Sequence, residues 1–138
     1  MPNRVQWRAE YSCGNIILDA QHQNMLIQCN RLADCIAHPS ADGELAFDTA
    51  FKQLMAQAAE HFSTEEALLA QCNYPKPDEH HNERDEFAYL SNDIVTTENF
   101  ERIELQRFLS LWWIGHIIGS GKKYRPYLAQ PPVTPVAA

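Results

Sequence analysis

The sequence has few basic residues and lacks both a long apolar run and an apolar N-terminal stretch. Eleven Lys and Arg stand against eighteen Asp and Glu, a formal net charge of −7 at pH 7. Nucleic acids and anionic membranes are bound through clustered basic residues, so we expect neither as a partner. The longest apolar run, residues 111–118, includes Gly115 and His116. It falls far short of the roughly 20 residues that span a bilayer.

The chain also lacks the features of a secreted, disulfide-bonded protein. Its first residues, MPNRVQWRAEY, contain no apolar signal-peptide region, so we expect a soluble cytoplasmic protein. The four cysteines, Cys13, Cys29, Cys35 and Cys72, form no C-x-x-C pair and show no tight framework spacing. We therefore predict reduced thiols that act as small apolar core residues.

Apolar residues recur at three- and four-residue steps in four segments, the pattern of helices with one buried face. We predict helices over about residues 20–37, 44–71, 78–96 and 102–120. The connections contain Pro39, Pro75 and Pro77, which separate the helices because proline is not tolerated in a helix interior. Gly119 and Gly121 are plausible end signals for the fourth helix.

Four helices joined by short connections favour an all-α fold, an antiparallel up-down-up-down four-helix bundle. We assign residues 1–128 to this bundle, and within it the first nineteen residues, with Trp7, Tyr11 and Ile17, to an irregular N-terminal arm. Residues 129–138 are rich in proline, which predicts an extended or disordered C-terminal tail.

Each predicted helix places one histidine among its apolar residues: His22, His61, His80 and His116. The first and third lie early in their helices, and the second and fourth lie late. In an antiparallel bundle all four therefore fall at the same end. A single inward histidine is usually a satisfied core residue, but four at one level indicate a shared site.

Glu65 joins this set one turn after His61, on the same helix face. A buried carboxylate is costly unless it is paired or binds a metal, and imidazole and carboxylate at i, i+4 can reach one ion. An internal His–Glu hydrogen bond is the alternative. Ligands of this type favour iron, manganese or zinc, and His22, His61 and Glu65 alone form a two-His-one-carboxylate set of the kind that leaves positions open on ferrous iron. The spacing does not identify the metal.

The sequence resembles the hemerythrin family, specifically the bacteriohemerythrins. The motifs LDAQH, HFSTEE, YPKPDEH and FLSLWWIGHIIGSGKKY carry the resemblance, in this order and over nearly the whole chain. It implies a non-heme di-iron site that binds O2 reversibly, with five histidines and with one Glu and one Asp as bridges. It also implies that His22 and His61 hold the iron with the open O2 position, that Glu65 bridges, and that His80 and His116 hold the other iron.

Two positions differ from the family pattern, and both belong to that other iron. With Phe87 as anchor, the second histidine of the pattern H-x-x-x-H falls at Arg84, and the bridging Asp falls at Gly121. We therefore predict a mononuclear non-heme iron site in a protein that binds or senses O2 or NO and is not an enzyme. A di-iron O2 carrier with substituted ligands and a metal-free bundle acting as an interaction module are the alternatives.

Arg84 carries a separate hypothesis. Its permanent cation could replace the missing iron, balance Glu65 and fill space beside His80 and His116. Alternatively, its long stem carries the charge to solvent. A shift of one residue would instead turn His81 inward, but it rotates the helix by about 100° and removes Phe87 from the buried face. We therefore predict that His81 is a solvated neighbour.

Overall fold

The computed structural model describes residues 1–38 and 42–128. This part of the chain contains no strand, only a short 3-10 turn and four α-helices: α1 Ile16–Ala37, α2 Gly43–Gln71, α3 Pro77–Thr96 and α4 Arg102–Leu128. Helix α1 packs against α2 and α4, and α3 packs against the same two helices. The predicted all-α four-helix bundle is confirmed. Pro39 and the predicted Pro-rich tail, residues 129–138, lie outside the described residues.

Helix α1 begins at Ile16, four residues before its predicted start at Ala20. The side-chain oxygen of Asn15 accepts hydrogen bonds from the backbone N–H groups of Ile17 and Leu18, both at 3.0 Å. A cap of this kind stabilises a helix by about 1 kcal/mol. Ile16 and Ile17 are exposed, so no buried stripe marks this first turn. The prediction that Ile17 belongs to the irregular arm is therefore wrong.

Helix α4 continues to Leu128, so the prediction that it ends at Gly119 and Gly121 is also wrong. Each glycine inside a helix costs about 1 kcal/mol relative to alanine. The last turns are held by tertiary contacts, because Tyr124 is buried and its ring packs edge-on against Tyr74 with centroids 5.0 Å apart. Burial of a large aromatic side chain outweighs the local preference of the glycines.

The N-terminal arm, residues 1–15, is bound to the bundle through its backbone. Gln106 of α4 exchanges two hydrogen bonds of 2.7 Å with the backbone of Asn3. Asn30 of α1 binds the backbone of Val5 in the same way, at 2.9 and 2.7 Å. The side-chain amides of Gln106 and Asn30 thus provide hydrogen-bond partners for backbone N–H and C=O groups of the arm that have no partner in a helix. These bonds fix the arm across α1 and α4. Cys13, near the end of the arm, therefore lies close to the start of α1.

The core of the bundle is aromatic near the predicted histidines. Phe62, Phe87 and Trp113 are buried together, and the rings of Phe62 and Trp113 stack with centroids 5.5 Å apart. Of the two adjacent tryptophans of α4, Trp113 is fully buried and Trp112 is half-buried. Among the described residues, no helix has both the length and the hydrophobicity needed to cross a membrane.

Candidate metal centre

Four buried side chains from three helices converge in the bundle: His22 from α1, His61 and Glu65 from α2, and His116 from α4. One ligand atom of each lies within 4.8 Å of those of the other three, and no member is more than 3% exposed. The Nε2 atom of His61 lies 3.1 Å from that of His22 and 3.2 Å from that of His116. It also lies 2.9 Å from Glu65 Oε2, one helical turn away.

His80 reaches the same centre from α3, through the other oxygen of Glu65. Its Nε2 lies 2.7 Å from Glu65 Oε1, whereas Oε2 lies 3.5 Å from His22 Nε2 and 3.4 Å from His116 Nε2. Glu65 therefore presents one oxygen to three imidazoles and the other to the fourth. The structure brings all five predicted ligand residues to one level of the bundle.

Burial and neighbouring charges shift the pKa values of His22, His61, His116 and Glu65 in different directions. Burial lowers the pKa of His22, and it lowers that of His61 to about 4. Burial also opposes charge on His116, but the carboxylates of Glu65 and Glu83 outweigh it and raise the pKa of His116 to about 10. Burial raises the pKa of Glu65, yet the charge of His116 and the close imidazole nitrogens hold that pKa well below its usual range. Without a metal, a protonated His116 balances Glu65.

The residues present fit a metal ion. Imidazole nitrogens lie close to both oxygens of Glu65, but among the described residues none makes a hydrogen bond of suitable geometry with either oxygen. Buried polar atoms without partners are costly, and a cation bound among the imidazoles would give Glu65 such a partner. His22 and His61 offer neutral nitrogen lone pairs, which metal ligation requires. Nitrogen and oxygen donors of this kind suit iron, manganese or zinc.

Glu83 is a residue of the centre that the sequence analysis missed. Its Oε1 lies 2.6 Å from His116 Nδ1, which therefore donates a proton to it. On the other side, the ring of Trp112 stacks on His116 with centroids 5.2 Å apart and an angle of 11° between the planes. A carboxylate on the outer nitrogen fixes the orientation of a metal-binding imidazole. The signal was available, since Glu83 lies three residues after His80 and so near the same face.

Two further polar side chains contact the imidazoles. His61 Nδ1 donates to Gln21 Oε1 at 2.8 Å, and Gln21 Nε2 in turn donates to Thr64 Oγ at 3.1 Å. Ser120 is buried one turn after His116, with its Oγ 3.4 Å from His116 Nε2. Gln21 directly precedes His22 in the LDAQH motif, so the sequence already indicated that it lies beside the cluster. Ser120 had no such signal.

Arg84 lies at the rim of the centre. Its Nη1 lies 2.7 Å from Glu66 Oε1, and its side chain is 39% exposed. The Arg84–Glu65 ion pair of our hypothesis does not occur in the described part of the chain, and the long stem carries the charge outward instead. His81 Nε2 lies 2.6 Å from the same Glu66 oxygen, and the half-exposed His81 is the outer member of the histidine pair.

Gly121 also contributes no ligand to the centre. A Cβ atom built at this position would meet main-chain oxygens of the arm, Ser12 at 3.6 Å and Tyr11 at 3.9 Å. The turn of α4 that would carry the bridging Asp of the family is therefore packed against the arm. Both positions that differ from the family pattern lack a ligand side chain directed at Glu65.

The fold and the buried cluster define a four-helix-bundle protein with an interior imidazole–carboxylate set of metal-ligand type. Residues 14–124 match the family model described as the hemerythrin HHE cation binding domain. Two relatives described as "Hemerythrin-like protein", from Naegleria gruberi and Naegleria fowleri, are each 27% identical over 128 residues, which cover 93% of this chain and 97% of the relative. No solved structure matches the chain significantly. The chain belongs to the hemerythrin family, and the resemblance of the four motifs to that family is confirmed.

Proposed function

We propose that this protein holds one non-heme iron ion in the buried cluster and through it binds or senses O2 or NO. The observation that carries the proposal is the convergence of His22, His61, Glu65 and His116, with both Glu65 oxygens lacking hydrogen-bond partners among the described residues. The family model, which is that of a cation-binding domain, supports a metal at this position. A two-His-one-carboxylate set with further nitrogen donors suits ferrous iron.

One ion is favoured over two by the ligands that are missing on one side of Glu65. Among the described residues, His80 joins no group of three His, Cys, Asp or Glu side chains whose ligand atoms lie within 4.8 Å of one another. Arg84 binds Glu66 at the rim, and Gly121 has no side chain. An ion on the His80 side of Glu65 would thus have two protein ligands, whereas the opposite side offers four.

The chain's own residues orient the ligands and keep the centre dry. Glu83 and Gln21 bind the outer nitrogens of His116 and His61, which fixes those two rings. The rings of Phe62 and Trp113 pack against His61 and exclude water. A bound ferrous ion would supply one electron and an open position for a diatomic molecule. Reversible O2 carriage in the family draws one electron from each of two irons, so we favour sensing or NO binding over carriage.

We also propose that the protein is a binding protein and not an enzyme. Apart from a bound metal, the centre offers buried imidazoles and one buried carboxylate, and its walls are aromatic. The buried cysteine nearest to it, Cys13, has a pKa raised by burial to about 12, so its thiol is not a nucleophile near neutral pH. Turnover of an organic substrate that disappears in Glu65→Ala would overturn this part of the proposal.

Metal analysis of protein purified without chelator tests the proposal directly. We expect about one iron per chain, because one such ligand set binds one ferrous ion. His61→Ala should remove the iron, whereas His81→Ala, a matched loss of a half-exposed histidine, should leave it unchanged. Two irons per chain would refute the single ion, and none would favour the metal-free bundle.

Spectroscopy then tests the ligand. A single ferric ion gives a half-integer-spin EPR signal, which a coupled ferric pair does not give. Adding NO to the ferrous protein should change its absorption spectrum in proportion to the iron content, and His61→Ala should show no change. An iron-loaded protein whose spectrum responds to neither NO nor O2 would refute diatomic binding while leaving iron binding intact.

A further inference from the structure

A second group of metal-ligand side chains shares His22 with the centre described above. Cys13, Asp19 and His22 place one ligand atom each within 4.8 Å of one another. Cys13 and His22 are 0% exposed, and Asp19 is half-buried in the first turn of α1. We propose that these three residues form a separate binding site for a divalent cation of the zinc class. This site does not require iron in the first cluster.

The loop before α1 is already organised around Asp19. Ser12 Oγ donates to Asp19 Oδ2 at 2.5 Å, and the backbone N–H of Cys13 donates to Asp19 Oδ1 at 2.9 Å. These bonds fix the position of Cys13 relative to the carboxylate. Each carboxylate oxygen has two lone pairs, so Asp19 can still accept a cation.

His22 supplies an unused nitrogen. Its Nε2 faces the first cluster, 3.1 Å from His61 Nε2, whereas its Nδ1 is buried and has no hydrogen-bond partner among the described residues. An imidazole that binds a metal through one nitrogen normally gives the other to a carboxylate, a carbonyl or water. A cation held by Cys13 and Asp19 would give this orphaned nitrogen a partner.

The donor set selects the type of cation. Thiolate, carboxylate and imidazole are ligands that zinc accepts, with water in the fourth position, whereas magnesium and calcium prefer oxygen alone. Burial keeps the Cys13 thiol protonated in the absence of a metal. On binding, the S–H bond breaks, the sulfur–metal bond forms and the proton leaves to solvent. Filling both sites at once also requires His22 to lose its remaining ring proton, so each cation should weaken the binding of the other.

Cobalt(II) is the probe for this site, because a cobalt–thiolate bond gives a charge-transfer absorption that nitrogen and oxygen ligands do not give. Anaerobic titration of the full chain should produce this band, and Cys13→Ser should abolish it. Cys29→Ser is the matched control, since Cys29 is an equally buried free cysteine outside the group. A wild-type protein without the band, or a band that persists in Cys13→Ser, would overturn the proposal.

Two more variants keep the test decisive. Asp19→Asn keeps an oxygen acceptor for the loop but loses the charge, and should weaken cobalt binding by at least about tenfold, as loss of even an outer partner does at metal sites. If Cys13→Ser shows no cooperative unfolding and so is not folded, Asp19→Asn provides the test instead. An unchanged cobalt affinity in Asp19→Asn would overturn the site. His61→Ala disables the first cluster and should retain the thiolate band, and its loss there would show that the site is not separate. A wild-type chain that gives the band but takes up no iron would refute the proposed function alone.

Discussion

Replacing Glu83 tests whether a carboxylate at the rim orients a metal-binding imidazole inside. Glu83 Oε1 lies 2.6 Å from His116 Nδ1, and the Glu83 side chain is 26% exposed, so solvent screens this contact only partly. Loss of such an outer carboxylate typically costs about 10- to 100-fold in metal affinity. This corresponds to about 1.4 to 2.7 kcal/mol.

The two obvious substitutions should differ in size. Glu83→Gln keeps an oxygen that accepts the His116 hydrogen bond and removes only the charge, so we expect a loss of Fe²⁺ affinity near the lower limit, about tenfold. Glu83→Ala removes the acceptor as well, leaves the outer nitrogen of His116 without its partner and should approach about 100-fold. Anaerobic competition with a chromophoric iron chelator measures both values.

Glu86→Gln is the control for this experiment. Glu86 lies in the same helix, is exposed and makes no ion pair in the part of the chain that the structure describes. Its substitution removes the same charge without touching an imidazole, and should change the affinity less than about twofold because solvent screens an exposed charge. Equal losses in Glu83→Gln and Glu86→Gln would mean that only overall charge matters. Unchanged affinity in Glu83→Ala would refute the orienting contact altogether.

Three further predictions concern stability and the rim. Phe87→Ala should lower the free energy of unfolding by about 3 to 5 kcal/mol in urea titration, because Phe87 is fully buried among aromatic rings; a loss below about 1 kcal/mol would contradict that packing. In chelator-treated protein, the pKa of His116 is raised from 6.5 to about 10, so its stabilising contribution is complete below pH 6.5 and disappears as the pH rises through about 10. Thermal unfolding should therefore move to lower temperature across that range, and a melting temperature that rises there would contradict the charge on His116. Arg84→Ala breaks only the rim contacts with Glu66 and Asp85, so it should cost less than about 1 kcal/mol and leave the iron content unchanged; a loss of iron would show that Arg84 supports the centre.

The helices could be predicted from the sequence wherever a buried stripe runs along them. The same stripe selected His80 over His81 as the inward residue, because a shift of one residue rotates the helix by about 100°. Helix ends were predicted less well, because they depend on capping and tertiary contacts that the apolar periodicity of the sequence does not show. Ile17 is exposed in a turn capped by Asn15, and Tyr124 holds the end of α4 against Tyr74, in the connection between α2 and α3.

The positions of the clustered histidines could likewise be predicted, but the contacts that neighbouring residues make with them could not. His22 and His61 lie on apolar stripes, and their depth in the bundle follows from their positions along antiparallel helices. Glu83 lies at the edge of its stripe, and only the structure shows that it meets His116 from a neighbouring helix. Cys13 was predicted to be an inert core thiol, because no spacing within the sequence relates the arm to His22.

The source of the positive charge beside Glu65 explains why Arg84 can lie at the rim. A buried carboxylate requires a nearby cation, and the sequence offered Arg84 as a permanent one. The raised pKa of His116 assigns that charge to its imidazole, which lies between Glu65 and Glu83. A guanidinium in this place would remain charged and would repel an incoming metal ion. An imidazolium can release its proton and expose a nitrogen lone pair, so the group that balances Glu65 in the metal-free protein can become a ligand when the metal binds.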